Sequence, residues 1–250
     1  MLAFAIAFVI SLIVIPILRR RKIGQQERDD GPKSHLKKQG TPTMGGIIMI
    51  IAIIIAATGT YIFLHLSGYE EIAKKLLPML LITIGYGLIG FIDDFKKLVL
   101  KNTEGLKPSY KMLGLLIIAV VYVLFLIYGF KIGTETYIPI WKMHVNIPEF
   151  LYIPFAVIVI LATTNAINLT DGIDGLSSSV SAIIITCLTV IGISSQVYEV
   201  SIFGSIVIGA TLGFLMFNLH PAKVFMGDTG SLMLGGVISG LALYLKMPLL

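Results

Sequence analysis

Long apolar runs alternate with short polar segments along the chain, and the runs have the length of membrane-spanning helices. A helix needs about 20 mainly apolar residues to cross the hydrocarbon core. We therefore predict an all-α fold, a polytopic transmembrane helical bundle that forms one integral-membrane domain over residues 1–250. About eight spans are expected, at Leu2–Leu18, Gly45–Leu66, Leu76–Ile92, Met112–Gly129, Phe150–Thr164, Leu176–Ile193, Val200–Phe217 and Leu232–Leu250.

Composition agrees with this pattern. The chain is 56% hydrophobic and 13% charged, with a mean hydropathy of +0.92, which is outside the range of soluble domains. Its single cysteine, Cys187, excludes a disulfide framework and a cysteine-based zinc site. The segment 137–148 alternates β-formers between two prolines and predicts a short interfacial hairpin, with Trp141 as an aromatic anchor.

The positive charges give an orientation. The alternate loops Arg19–Met44, Asp93–Lys111, Asn165–Gly175 and Asn218–Ser231 contain 14 of the 19 Lys and Arg residues. Short cytoplasmic loops carry such an excess, so these loops are predicted to be cytoplasmic and the N-terminus to be outside. Because the charges lie in loops between apolar runs, they indicate topology rather than a nucleic-acid surface, and no nucleic-acid partner is expected.

The carboxylates then separate by type. All seven aspartates fall in the predicted cytoplasmic loops, whereas the other side carries only glutamates. Short carboxylate side chains suit a site that binds a hard divalent cation such as Mg²⁺. Aspartate is also a common helix-cap residue, which explains some of the positions but not their clustering.

Asp93 and Asp94 end the third predicted span. Adjacent carboxylates at the end of an apolar helix repel each other unless a cation or proton relieves them. Mg²⁺ is one source of relief, and the neighbouring Lys96 and Lys97 are the alternative.

Three further loops combine polar residues and glycines. In the segment 165–176, two Asn, two Asp and two Gly could receive a phosphate or a nucleobase edge, although Asp174 could instead cap the next helix. The segment 226–231 (Met-Gly-Asp-Thr-Gly-Ser) is typical of metal-phosphate loops, with Thr229 or Ser231 as a plain N-cap in the alternative interpretation. The basic segment 28–46 could bind an anionic headgroup or simply fix the orientation.

Other chemistries lack their motifs. No P-loop, Gly-x-Gly-x-x-Gly, His-Glu-x-x-His or Gly-x-Ser-x-Gly pattern occurs, which argues against an ATP-driven pump, a dinucleotide enzyme, a zincin and an α/β-hydrolase. The remaining set of Asp, Asn, Lys and Gly residues favours phosphoryl chemistry on amphiphilic substrates.

Four segments carry a family resemblance. The residues Gly-Thr-Pro-Thr-Met-Gly-Gly at 40–46, the pair at 93–94, and the segments 165–176 and 226–231 stand in an order and spacing similar to those of the polyprenyl-phosphate N-acetylhexosamine-1-phosphate transferase superfamily. Within it, the form of the first segment and of Asp-Gly-Pro-Lys-Ser-His at 30–35 resembles the phospho-N-acetylmuramoyl-pentapeptide transferase family.

That resemblance implies a reaction and a cofactor. Undecaprenyl phosphate would attack UDP-N-acetylmuramoyl-pentapeptide at the cytoplasmic face of the bacterial plasma membrane, giving lipid I for peptidoglycan synthesis and UMP, with Mg²⁺ required. It implies that Asp228 ligates Mg²⁺, that Asp93 activates the lipid phosphate beside Asp94, and that Lys97 faces phosphate. Whether Asp93 acts as base or nucleophile stays open. The UDP donor would contact Lys38, Asn168, Asp171, Gly172, Ile173, Asp174, Asn218 and Phe225, with Phe225 stacking on uracil. Thr43 and Asn165 would also bind substrate.

The resemblance also implies features beyond this sequence. The family usually has ten spans, a His-His-His motif in a cytoplasmic loop and a homodimeric state, so we expect part of the family domain to be absent after Leu250. A transferase that uses UDP-N-acetylglucosamine is the alternative within the superfamily. An ion-coupled transporter, which would place carboxylates inside the spans, and an inactive truncated scaffold are alternatives of another class.

Overall fold

The structure, a computed structural model, describes residues 1–20, 41–98 and 105–249. Lys38, which was predicted to bind the UDP donor, lies outside these ranges. Within these ranges the chain forms long α-helices joined by short connections. They are α1 (Leu2–Arg20), α2 (Gly46–Leu66), the short α3 (Glu70–Lys74), α4 (Leu77–Leu98), α5 (Pro108–Leu124), α6 (Glu149–Thr170), α7 (Leu176–Ser194), α8 (Tyr198–Asn218) and α9 (Gly227–Tyr244).

Seven helical segments in the described ranges are long and apolar enough to cross a membrane. They include α3 and α4 as one segment, and α5 together with the π-helical turn Phe125–Gly129 that continues it. The predicted all-α, multi-pass membrane fold is confirmed.

The predicted bounds of three spans differ from the structure. The helix that was expected to end at Ile92 continues to Leu98, and the one expected to end at Thr164 continues to Thr170. The last predicted span, Leu232–Leu250, is instead α9, which begins earlier and ends at Tyr244. At each of these sites polar residues that resemble a loop form helical turns, and their side chains find partners within the same helix, as Asp93 and Lys97 do, or on another helix, as Asn168 and Asp228 do.

Helix α9 is the most enclosed of the long helices. Every residue from Thr229 to Tyr244 is buried, and the helix packs against α2, α4, α6 and α7. Small residues permit this close packing: a Cβ at Gly235 would lie 2.5 Å from the Cα of Thr164 in α6. Neighbouring helices therefore shield the polar start of α9 from lipid.

A two-stranded hairpin closes one end of the bundle, as predicted. Strands β1 (Glu135–Ile138) and β2 (Met143–Asn146) pair antiparallel, with Glu135 opposite Asn146. The N–H of Tyr137 donates to the carbonyl of Lys246, 2.8 Å away, which holds β1 against the chain that follows α9. We call this the hairpin end, and the opposite end, where α4 and α6 end and α9 begins, the carboxylate end.

Candidate active site

Asp94 holds the start of α9. Its carboxylate is 5% exposed and accepts hydrogen bonds from the N–H groups of Asp228 (3.2 Å) and Thr229 (2.9 Å) and from the Thr229 hydroxyl (2.6 Å). The first N–H groups of a helix have no partner within the helix, and a carboxylate there also complements the helix dipole. These contacts give Asp94 a positioning role for Asp228.

Gly90 lets the two backbones approach. A Cβ at this position would overlap the carbonyl of Asp228, so α4 and the first turn of α9 meet here without intervening side chains. The acidic pair of α4 is thereby brought within reach of Asp228, 134 positions away along the chain.

Asp93 and Asp228 share two lysines. Lys97 Nζ lies 2.6 Å from Asp93 Oδ2 and 2.9 Å from Asp228 Oδ2. Lys111 Nζ, from the first turn of α5, lies 3.6 Å and 2.8 Å from the same two oxygens. The N–H of Leu106 also donates to Asp93 Oδ1 over 2.8 Å. Two carboxylates and two ammonium groups therefore form a compact cluster, which we call the Asp–Lys cluster.

Asn168 connects α6 to this cluster. Its side-chain amide donates to Asp228 Oδ1 (2.9 Å) and to the Ser231 hydroxyl (2.8 Å), so Asp228 is bonded from α4, α5 and α6 at once. The predicted grouping of Asp93, Lys97, Asn168 and Asp228 is present in the structure.

The carboxylate oxygens of the Asp–Lys cluster are the kind of ligand that Mg²⁺ prefers. Among the described residues, no group of three or more His, Cys, Asp or Glu side chains forms a complete cation site. Mg²⁺, however, usually binds through one or two carboxylates together with substrate phosphates. The carboxylates of Asp93 and Asp228 already face cationic ammonium groups, and Asp228, at 19% side-chain exposure, is the more accessible of the two.

Asp171 and Asp174 link the loop after α6 to the loop before α9. Burial raises the pKa of Asp171 to about 7, and the nearby carboxylates of Asp228 and Asp94 add to the rise. A hydrogen bond from the Gly227 N–H acts in the opposite direction. Asp174 Oδ2 accepts from the N–H of Ala222 (3.2 Å) and lies 3.0 Å from His220 Nδ1. Asp171 and Asp174, which were predicted to bind the UDP donor, therefore lie at the carboxylate end, beside the Asp–Lys cluster.

The other residues that were predicted to bind the UDP donor are divided between buried and exposed positions. Gly172 and Ile173 are exposed in the loop after α6, and Phe225 is half-buried. Asn218 is buried, accepting from the Ser178 hydroxyl (2.7 Å) and donating to the carbonyl of Val224 (3.0 Å). Their proposed contacts with a ligand stay predictions.

Thr43 and Asn165, which were predicted to bind substrate, lie close to other parts of the protein. Thr43 is buried beside the start of α9, where its hydroxyl would lie 3.1 Å from a Cβ at Gly227. The side chain of Asn165 donates to the carbonyl of Leu161 in its own helix.

Several placements differ from the sequence-based interpretation. Asp93, Asp94, Asn165, Asn168 and Asp228 lie in helices rather than in the predicted loops. The N-caps of α7 and α9 are Gly175 and Met226, rather than Asp174 and Thr229 or Ser231 as in the alternative interpretation.

Sequence reasoning missed Lys111. It stands at the start of an apolar run and resembles a topology signal, but its ammonium group bonds Asp228, 117 positions away. Pro108 predicts the start of α5 and so places Lys111 in its first turns, but the sequence does not reveal that the lysine points into the bundle.

Known proteins with similar sequences give the family. The family described as glycosyl transferase family 4 matches residues 76–246. Phospho-N-acetylmuramoyl-pentapeptide transferases match the whole chain: that of Acetivibrio thermocellus is 42% identical, with 73% of its own length covered. Those of Halalkalibacterium halodurans and Bacillus subtilis are 44% and 43% identical, with 74% and 75% covered.

These similarities extend over the segments that build the Asp–Lys cluster. The chain is a multi-pass membrane protein whose family acts on a lipid substrate and a nucleotide-sugar donor. It belongs to the phospho-N-acetylmuramoyl-pentapeptide transferase family and is a transferase.

Proposed function

We propose that this chain transfers phospho-N-acetylmuramoyl-pentapeptide from its UDP donor to undecaprenyl phosphate, forming lipid I and UMP. A lipid phosphate oxygen attacks the β-phosphorus of the donor, the bond to the bridging oxygen breaks, and UMP leaves. The Asp–Lys cluster is the observation that carries the proposal, because it gathers two carboxylates and two cations from three helices at one end of the bundle.

Lys97 and Lys111 supply positive charge for this reaction. Both substrates bring negatively charged phosphates, and phosphoryl transfer depends mainly on positioning and on neutralising such charge. The side chains of Lys97 and Lys111 are partly exposed, at 37% and 20%, so an incoming phosphate can exchange with the carboxylates that bind their ammonium groups here. Asp93, released from Lys97, is then placed to activate the lipid phosphate.

Mg²⁺ is part of this proposal. Asp228 would hold it, with Asp93 as the second carboxylate within reach. When bound, the ion neutralises the donor pyrophosphate and stabilises the leaving group. Asn168 bonds Oδ1 of Asp228, so Oδ2, which the two lysines bind here, would be the oxygen that holds the cation.

The loops at the carboxylate end are proposed to bind the donor. Asp171 and Asp174 begin this surface, Phe225 stacks on uracil, and the other predicted donor residues complete it. Support comes from the contacts of Asp171 with Gly227 and of Asp174 with Ala222, which hold the two loops together next to Asp228.

We also propose an orientation and a location. The excess of Lys and Arg in the connections at the carboxylate end supports a cytoplasmic site, with the N-terminus outside, in the bacterial plasma membrane. The family resemblance supports a homodimer.

A donor exchange tests the proposal. The purified protein in detergent, given Mg²⁺ and undecaprenyl phosphate, should release UMP from UDP-N-acetylmuramoyl-pentapeptide and not from UDP-N-acetylglucosamine. Chelation by EDTA should stop the release and added Mg²⁺ should restore it. Equal release from both donors would contradict the assigned donor, and release that persists in EDTA would contradict the role of Mg²⁺.

A further inference from the structure

The tip of the hairpin combines exposed apolar side chains with a lysine. Ile140, Trp141 and Met143 are 87%, 69% and 49% exposed, and Lys142 stands among them. A tryptophan, a long aliphatic side chain and a lysine are the residues that favour the boundary between hydrocarbon and headgroups. Their exposure together at a turn needs a partner that is both apolar and anionic.

The connections hold this tip near the membrane surface. Only residues 130–134 and 147–148 separate the strands from the ends of the helical segments before and after them. A four-residue strand is about 13 Å long, whereas the headgroup region on each side is about 5–8 Å deep. A hairpin that stood upright would therefore carry its tip into water.

Two contacts hold β1 beside the chain that follows α9. The N–H of Tyr137 donates to the carbonyl of Lys246 (2.8 Å), and Lys246 Nζ donates to Glu135 Oε2 (2.7 Å). Tyr137, one residue before the end of β1, therefore lies beside the second residue after α9, which keeps the tip of the hairpin close to the end of the bundle. Phe150 and Leu151, in the first turn of α6, are further exposed apolar side chains at this end of the bundle.

The lysines at this end of the bundle differ in whether a carboxylate lies beside them. Lys246 pairs with Glu135, whose pKa it holds below the ordinary value, and Lys74 pairs with Glu70 and Glu71. In the part of the chain that the structure describes, neither Lys131 nor Lys142 has a carboxylate within 4.0 Å. Two exposed cations therefore remain at the hairpin.

We infer that residues 140–143 insert into the headgroup region of the leaflet on the hairpin side, and that Lys142 binds anionic phospholipid there. The occupant is a lipid surface rather than a protein, because the patch adjoins membrane-spanning helices and joins apolar insertion to positive charge. Each lysine near an anionic bilayer strengthens binding about fivefold. The hairpin would thus anchor the loop between α5 and α6.

Trp141 provides the test, since it is the only tryptophan in the chain and its emission reports on this tip alone. The protein is reconstituted into nanodiscs of equal parts phosphatidylcholine and phosphatidylglycerol, with bromine on the acyl chains of one lipid or of the other. We expect bromolipid to quench the emission, aqueous acrylamide to quench it several-fold less than free tryptophan amide, and brominated phosphatidylglycerol to quench more than brominated phosphatidylcholine.

Matched variants identify the cation. Lys142→Gln should remove the difference between the two bromolipids, whereas Lys74→Gln, at the same end but paired with glutamates, should keep it. Acrylamide quenching equal to that of free tryptophan amide, with no effect of bromolipid, would overturn the insertion. Equal quenching by the two bromolipids in the unsubstituted protein would overturn the binding of anionic lipid.

Discussion

Replacing Asp94 by Asn tests how the acidic pair is divided between structure and chemistry. The Asp94 carboxylate accepts three hydrogen bonds, two on Oδ2 from Thr229 and one on Oδ1 from the N–H of Asp228. An asparagine can accept through only one oxygen. If that oxygen keeps both bonds from Thr229, the amide group points at the N–H of Asp228, and two buried donors then face each other.

The cost follows from these contacts. A hydrogen bond to a charged group contributes about 1.5–3 kcal/mol, and leaving a buried donor without an acceptor costs about 1–3 kcal/mol. We therefore expect Asp94→Asn to lower the free energy of unfolding by about 2–4 kcal/mol. Thr229→Val removes only the hydroxyl donor at nearly constant shape and should cost about 1–2 kcal/mol.

A double-mutant cycle separates this contact from other effects. Equilibrium unfolding in mixed detergent micelles gives the free energy for both single variants and for the double variant. Because the Thr229 hydroxyl has already lost its charged acceptor in the Asp94→Asn variant, the two costs should fall short of additivity by about 1 kcal/mol. Costs that add within about 0.3 kcal/mol would refute the assigned contact. An Asp94→Asn protein that stays fully stable but releases no UMP would show that Asp94 acts in the chemistry itself.

Three more substitutions probe the surroundings of the cluster. Gly90→Ala would press a methyl against the Asp228 carbonyl, so it should lower the free energy of unfolding by about 1–3 kcal/mol and also lower the rate of UMP release. Gly59→Ala, where the new methyl would meet no atom within 4 Å, should leave both quantities unchanged. Lys111→Met should lower kcat by about 100-fold or more in the UMP-release assay, and a rate within twofold would contradict its role. The pKa of Asp171 is raised to about 7 in the folded protein. The folded protein therefore keeps a proton on this carboxyl that the unfolded chain loses near pH 4, and the free energy of unfolding falls as pH rises from about 4 to 7. Asp171→Asn should flatten that fall, by at most about 1.4 kcal/mol per pH unit, in unfolding curves between pH 5 and 8, and an unchanged slope would contradict the shift.

Hydrophobic patterning was sufficient to predict the helices and the hairpin. It failed where polar residues continue a helix. Asp93 and Lys97 resemble a loop because charge ends the apolar run after Ile92, but they lie one turn apart and bond each other, so α4 continues to Leu98. Local periodicity carries no information on whether such a group finds a partner.

The candidate site was predictable as a set of residues but not as a geometry. Asp93, Asn168 and Asp228 came from separate motifs, and their contacts span 60 positions and more along the chain. The positioning role of Asp94 depends on the close approach of α4 and α9 at Gly90, which no local pattern reveals. Lys111 was missed for the same reason, since its charge alone is equally well explained by topology.

The central claim is that Asp93 and Asp228 carry the transfer, and UMP release by their Asn variants tests it most directly. With Mg²⁺, undecaprenyl phosphate and UDP-N-acetylmuramoyl-pentapeptide, Asp93→Asn and Asp228→Asn should release no UMP above background. Glu149→Gln, an exposed change at the hairpin end, should release it at the unsubstituted rate. Release at that rate by either aspartate variant would contradict the account.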